Sequence, residues 1–237
     1  MLLTAALVAA GVASSMAQGS SNVYSLNIVG YVNIPVQANK FYLIENPLNN
    51  APDNTVSNVF QASGFDSSGV KDVGWDQSQI LQWDGTSYAT ALVYFQGFGW
   101  FGGDTGVGQT NLIAPGQGFF FISTSNATLT FVGSVQLGST NSLKPGFNLI
   151  GSPYPASLDV TTLGLTGVDQ DQILRWNSGP GSFATASQYF GGFGWVDPNA
   201  GDGAGPTNGP TLNVGEGLFY LNNNATAFSF KQNFTVN

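Results

Sequence analysis

Apolar and polar residues alternate along Ala127 to Leu137, where Leu129, Phe131, Val135 and Leu137 are interleaved with Thr130, Val132, Ser134 and Gln136 around Gly133. A period of two is the pattern of a strand with one buried face. Near the start, Leu26, Ile28, Gly30, Val32 and Ile34 reproduce it, and at the end Phe228, Phe230, Phe234 and Val236 do so again. Three copies of one strand bracketing two longer segments predict a tandem duplication of a β module.

Between these copies, matched blocks follow the same order twice. Phe41-Tyr42-Leu43-Ile44-Glu45-Asn46-Pro47 corresponds to Phe147-Asn148-Leu149-Ile150-Gly151-Ser152-Pro153. In both, a short apolar strand ends at a Pro, which cannot donate to a ladder. Gln79-Ile80-Leu81-Gln82-Trp83-Asp84 corresponds to Gln172-Ile173-Leu174-Arg175-Trp176-Asn177, and each leads through a Gly- and Ser-bearing turn to Tyr88 or Phe183, which reads as a hairpin. Tyr94-Phe95-Gln96-Gly97-Phe98-Gly99-Trp100 then matches Tyr189-Phe190-Gly191-Gly192-Phe193-Gly194-Trp195, and Gly118-Phe119-Phe120-Phe121-Ile122 matches Gly217-Leu218-Phe219-Tyr220-Leu221. The spacing drifts while the order is kept, so insertions fall between strands, where loops tolerate them.

The predicted fold class is all-β: two tandem homologous β-sandwich or jelly-roll-like modules, 18–137 and 138–237, each with about six or seven short strands. The short connection from Gly138 to Pro145 predicts close contact between them. If each module uses the strand copy that ends it, the N-terminal copy, Tyr24 to Val36, is one strand too many. It would expose an apolar row unless paired. It could cover an edge of the first module, or add to an edge in a neighbouring molecule and so drive self-association.

The first residues read differently. Leu2 to Val12 is an apolar run, too short for a membrane span of about 20 residues. Small residues and Ser15-Met16-Ala17 follow, predicting a cleaved secretory signal over 1–17, although no Lys or Arg precedes the run. Composition agrees with export: 32 Gly and 18 Phe with only 8% charged residues suit short strands and tight turns. Without Cys, stability has to come from buried apolar and aromatic area. A net charge of -8 with 5 Lys plus Arg leaves no basic patch to neutralise phosphates, which argues against nucleic acid and against anionic lipid.

The run Asn22 to Val32, followed by Phe147 to Pro155, resembles a group of uncharacterised secreted tandem-repeat β proteins of Verrucomicrobia type. Asn148-Leu149-Ile150-Gly151-Ser152-Pro153-Tyr154-Pro155 is also similar to an Asn-Leu-Ile-Gly-Asn-Pro-Tyr-Pro motif of Bacteroidetes surface proteins, with Ser152 in place of the usual Asn. The resemblance implies a bacterial exported β protein, secreted or at the cell surface. It brings no catalytic residues.

The residue inventory narrows the chemistry. With no His and no Cys, a Ser-His-Asp triad, a Cys-His pair and a zinc site of imidazole or thiolate are excluded. Carboxylate pairs could still serve a glycosidase, the candidates being Asp76 with Asp84 and Asp169 with Asp171. All four lie beside turns of the duplicated hairpin, where Asp is preferred for local hydrogen bonding. Asp197, Asn199 and Asp202 offer oxygen ligands that could take Ca2+, in a loop that departs from the EF-hand pattern and also reads as a plain Gly-rich turn. The duplicated Gly-Phe-Gly-Trp motifs are the other candidate: Trp100 and Trp195, with Phe98 and Phe193, could present rings to a sugar face, or each Trp could plug the end of its own module. No other cofactor is expected. These observations predict a non-enzymatic exported β-repeat protein, a structural or adhesive component of a cell surface, matrix or fibre. The alternative is a carbohydrate-binding module using the loop Trp residues.

Overall fold

In the computed structural model, which describes residues 28–65, 74–102, 108–136, 138–198 and 209–232, nearly all regular structure is β. The first half contributes β1 (Val29–Val36), β2 (Phe41–Glu45), a short helix α1 (Val56–Gln61), β3 (Gln79–Leu81), β4 (Leu92–Phe95), β5 (Gly99–Gly102), β6 (Gly118–Ile122) and β7 (Ala127–Ser134). The second contributes β8 (Ser139–Leu143), β9 (Gly146–Gly151), β10 (Leu158–Asp159), β11 (Gln172–Asn177), β12 (Ser182–Phe183), β13 (Ser187–Phe190), β14 (Gly194–Val196), β15 (Thr211–Leu212), β16 (Gly217–Asn222) and β17 (Phe228–Gln232). The signal segment 1–17 lies outside the described residues, as do Leu26, Leu137, Phe234 and Val236 of the strand copies.

The likeness between the first two strand copies has a physical cause, because they pair with each other. β1 and β7 run antiparallel, with Val32 opposite Phe131, Ile34 opposite Leu129, and Gly30 opposite Gly133. Alternation puts Val32, Val36, Leu129 and Phe131 inward, while Val29 and Tyr31 face out. The glycine pair admits a crossing segment. A Cβ on Gly30 would stand 2.4 Å from a Leu48 methyl, and one on Gly133 would stand 2.6 Å from the Asn49 carbonyl oxygen. Asn49 exchanges backbone hydrogen bonds with Ser134 there, at 2.9 and 2.8 Å.

The N-terminal copy is therefore not surplus, which corrects the strand count read from the sequence. The second half has its own equivalent, β8, paired antiparallel with β17 from Phe228↔Leu143 to Gln232↔Ser139. β8 reads Ser-Thr-Asn-Ser-Leu and has no apolar alternation, so it passes for a connection; Leu143 alone of its five residues is a large apolar side chain, and it is buried.

Each half then builds one larger antiparallel sheet in the same order, β2-β6-β3-β4-β5 and β9-β16-β11-β13-β14, the second with β12 added on β11. The registers correspond: Leu43 pairs with Phe120 and Leu149 with Phe219. β6 and β16 are buried nearly throughout, as a strand covered on both faces must be. Ile44, Ile80, Phe119 and Phe121 point into an aromatic core in which Phe60 of α1 touches Phe65, Trp100, Phe119, Phe121 and Phe131. Leu43 and Phe120 point the other way and meet Leu149 and Phe219 in a second, smaller cluster made by both halves. The fold is all-β and sandwich-like.

Among the described residues, hydrogen bonds and bridges that join the halves come in matched pairs. Trp83 Nε1 donates to the Phe147 carbonyl at 3.0 Å, and Trp176 Nε1 to the Phe41 carbonyl at 2.7 Å. Isolated bridges link Ile44 to Glu216 and Ile150 to Gln117. The Glu45 N–H bonds to the Gly215 carbonyl at 3.1 Å and the Gly151 N–H to the Gly116 carbonyl at 2.9 Å. Because the blocks are matched in sequence, these are one set of contacts applied in both directions, the signature of a local two-fold.

Candidate functional site

The residues singled out in the sequence are placed as follows. Trp100 and Trp195 are each 1% exposed, so neither ring reaches a ligand in solution. Trp100 packs on Phe65 and Tyr94 at 5.1 and 5.3 Å between ring centres. Trp195 lies against Tyr189 and Tyr220 and donates its Nε1–H to the Leu165 carbonyl at 3.1 Å. They fill the ends of their sheets, the second of the two roles open to them. Phe98 and Phe193 behave differently: both sit at hairpin tips beside glycines with positive φ, Gly97 and Gly192, and are 71% and 69% exposed.

The carboxylates are engaged in local structure. Asp76 accepts from the Gln96 N–H at 2.8 Å and Asp169 from the Gly191 N–H at 2.8 Å, each pinning a hairpin tip. Asp84 closes its own turn through the N–H groups of Thr86 and Ser87, which hold its carboxyl below the usual range. Asp171 is not a solvated turn residue. It is fully buried and accepts from Tyr220 Oη and the Asn223 N–H, and burial with that acidic neighbour pushes the Tyr220 phenol up. Asp197 is 5% exposed and accepts from Ser187 Oγ at 2.9 Å, while Asn199 and Asp202 lie outside the described residues. Among the described residues there is no group of three or more His, Cys, Asp or Glu placed to hold a metal ion.

What the structure assembles instead is a face at the join between the halves. Trp83 meets Tyr88 at 5.1 Å and 70°, and Trp176 meets Phe183 at 5.0 Å and 76°. Each Trp also packs edge-on, at 87°, against a Phe of the opposite half: Trp83 on Phe219 at 5.3 Å and Trp176 on Phe120 at 5.1 Å. These T-shaped contacts are the favoured geometry for aromatic quadrupoles. Two grooves of about 260 Å³ result. One is bordered by Trp83, Tyr88, Phe147, Leu174, Phe183 and Phe219; the other by their counterparts Trp176, Phe183, Phe41, Leu81, Tyr88 and Phe120. Phe41, Tyr88, Phe147 and Phe183 are 38–42% exposed, while Phe120 and Phe219 form the buried floor.

The grooves continue into two larger clefts. Trp176 is shared with a cleft of about 580 Å³ that holds Tyr42, Arg175, Asn177, Ser178 and Glu216. Trp83 is shared with one of about 320 Å³ that holds Asp84, Gln117, Asn141, Ser142 and Lys144. In the first, Arg175 grips Glu216 with two bonds, Nε to Oε1 at 2.6 Å and a terminal nitrogen to Oε2 at 2.7 Å, which raises the guanidinium pKa further. At the corresponding positions of the first half the charges are absent: Gln82 stands for Arg175 and Gln117 for Glu216. Gln117 still accepts from the Ala114 N–H as Glu216 does from the Asn213 N–H. Shared residues thus connect the depressions in series: cleft, Trp176, groove, Phe183 with Tyr88, groove, Trp83, cleft.

Between the halves, against Gly151, lies Glu45, fully buried, with neither carboxyl oxygen in a hydrogen bond of normal geometry. Burial raises its pKa well above the carboxylate range, and the backbone N–H groups of Gly116 and Gly215 only partly oppose that. A sealed carboxyl has no access to substrate, so it offers structure rather than acid-base chemistry. No protein-family model, curated protein or solved structure matches the chain.

Proposed function

We propose that the chain is a non-enzymatic exported protein, a structural or adhesive component of a bacterial cell surface, matrix or fibre, and that it holds its target on the two-fold aromatic face. The observation that carries this reading is the set of half-exposed rings fixed over a buried floor. Exposed apolar surface that is contiguous, rather than scattered, marks interaction sites. Here the rings are held by hydrogen bonds and edge-on packing, so they lose little freedom on binding. Export and a bacterial source rest on the N-terminal apolar run and on the resemblance of the repeat blocks. Self-association through Tyr24 to Val36 finds less support, because β7 already pairs with Val29 to Val36 along one edge. No helix among the described residues is long and apolar enough to cross a membrane.

The test is adsorption of the purified protein to cell-envelope and matrix preparations on a quartz microbalance. Tyr88→Ala with Phe183→Ala should abolish most adsorption while the circular dichroism spectrum stays that of the folded parent, whereas Phe98→Ala with Phe193→Ala should leave adsorption unchanged. Adsorption equal to the parent in the Tyr88, Phe183 variant would refute the assignment. A carbohydrate-binding reading survives the burial of Trp100 and Trp195 only if it moves to Trp83 and Trp176.

A further inference from the structure

Resting on the adhesive reading above, the make-up of the face points to its ligand class: we propose that a neutral polysaccharide chain lies along it, crossing Phe183 and Tyr88 in the middle and reaching the polar clefts at both ends. The middle of the line offers half-exposed aromatic carbon and almost no hydrogen bonding. Of the six residues bordering each groove, only Tyr88 and one Trp carry a side-chain polar atom, and that Trp N–H is already given to the Phe147 or Phe41 carbonyl. The ends are the reverse. Asn177 and Ser178 accompany the Arg175–Glu216 pair in one cleft, and Asn141, Ser142, Asp84 and Lys144 gather in the other. A sugar ring has an apolar C–H face and a hydroxylated edge, so a chain of them matches both parts, whereas an acyl chain would leave the polar ends unused.

Charge narrows the class further. Each cleft carries one cation and one anion, Arg175 with Glu216 and Lys144 with Asp84, so neither end has a net charge to offer a polyanion or polycation. The whole chain, at -8, repels acidic polymers at long range. The ligand that complements the line is uncharged. Its length follows as well, because the two grooves share Tyr88 and Phe183 and each shares a Trp with its cleft. A chain of several sugar units is needed to touch all four depressions, and a monosaccharide touches one.

The experiment is native affinity electrophoresis in gels containing hydroxyethylcellulose, galactomannan or mixed-linkage β-glucan, with alginate as the acidic control. The parent should be retarded by at least one neutral polymer, equally at low and high salt, and free monosaccharide should not compete. Tyr88→Ala with Phe183→Ala should weaken retardation roughly tenfold or more, from the value of an aromatic contact. Tyr88→Leu with Phe183→Leu, which keeps apolar bulk and guards against a folding defect, should do the same. Phe98→Ala with Phe193→Ala should migrate as the parent does. Retardation by none of the neutral polymers, by alginate alone, or undiminished in both ring variants would overturn the proposal. Loss of envelope adsorption in the ring variants, with no polymer retarding the parent, would reject the glycan and leave the adhesive reading standing. A concentration-dependent dimer dissolved by the same variants would assign the face to a second copy of the chain instead. Unchanged adsorption would bring down both readings.

Discussion

Replacing Glu45 by Gln should remove the loss of folding stability that sets in as pH rises above the ordinary carboxylate range. The carboxyl is sealed between the halves, and burial raises its pKa well above the usual carboxylate range. In the unfolded chain it titrates near its ordinary value of about 4.3. Between those two values the folded state keeps a proton that the unfolded state has lost. The stabilisation is complete below the unfolded pKa and is lost as pH rises toward and through the folded one, at about 1.4 kcal/mol per pH unit. For a chain of this length that is roughly 3–5 °C in Tm per unit. The absence of His and Cys isolates the effect, since neither can titrate in the same range. Asp53 and Asp84 shift the other way, lowered first by hydrogen bonds from Thr55 and Ser87, so their contributions are present at neutral pH and lost only below about pH 4. Thermal unfolding followed by circular dichroism at each pH reads the slope directly. The parent should lose stability as pH rises above about 4.3, and Glu45→Gln should stay nearly level. A parent profile that is flat or rising, or one that the variant shares, would refute the reasoning.

Two other outcomes follow from close contacts. Gly151→Ala puts a methyl 2.1 Å from Glu45 Cγ and 2.8 Å from the Glu216 carbonyl oxygen, so urea unfolding should show a loss of about 1–3 kcal/mol, partly recovered when Glu45→Ala is added; strict additivity would contradict the contact. Trp100→Phe and Trp195→Phe remove the same atoms from equivalent core sites, but Trp100 Nε1 has no hydrogen-bond partner whereas Trp195 Nε1 serves Leu165. The Trp195 variant should therefore be the less stable by about 1 kcal/mol, and equal losses would argue against that difference.

The order of strands was legible because a half-buried strand alternates in sequence, and matched blocks repeat that alternation. β8 was not, since Ser139 to Ser142 are polar in sequence and Leu143, which is buried, is its single apolar residue. The face was missed for a related reason. Gly-Phe-Gly-Trp is the most distinctive repeated string, yet its Gly residues serve the hairpin tips while the Trp rings pack inward. The usable signal lay in Phe119-Phe120-Phe121 and Leu218-Phe219-Tyr220. Unbroken apolar runs of this kind belong to strands covered on both faces, which requires something to pack on the second face. Leu81 with Trp83, and Leu174 with Trp176, supply that layer at alternate positions.

Glu45 and Gly151 occupy the same place in the two repeats, at the end of β2 and of β9, and they meet across the join. A symmetric pairing of two first halves would drive Glu against Glu, and one of two second halves would leave Gly facing Gly over a void. Neither half can recognise its own kind as well as it recognises its tandem neighbour. The duplication has thereby lost interchangeability: a chain rebuilt in the order first, first or second, second should fail to close.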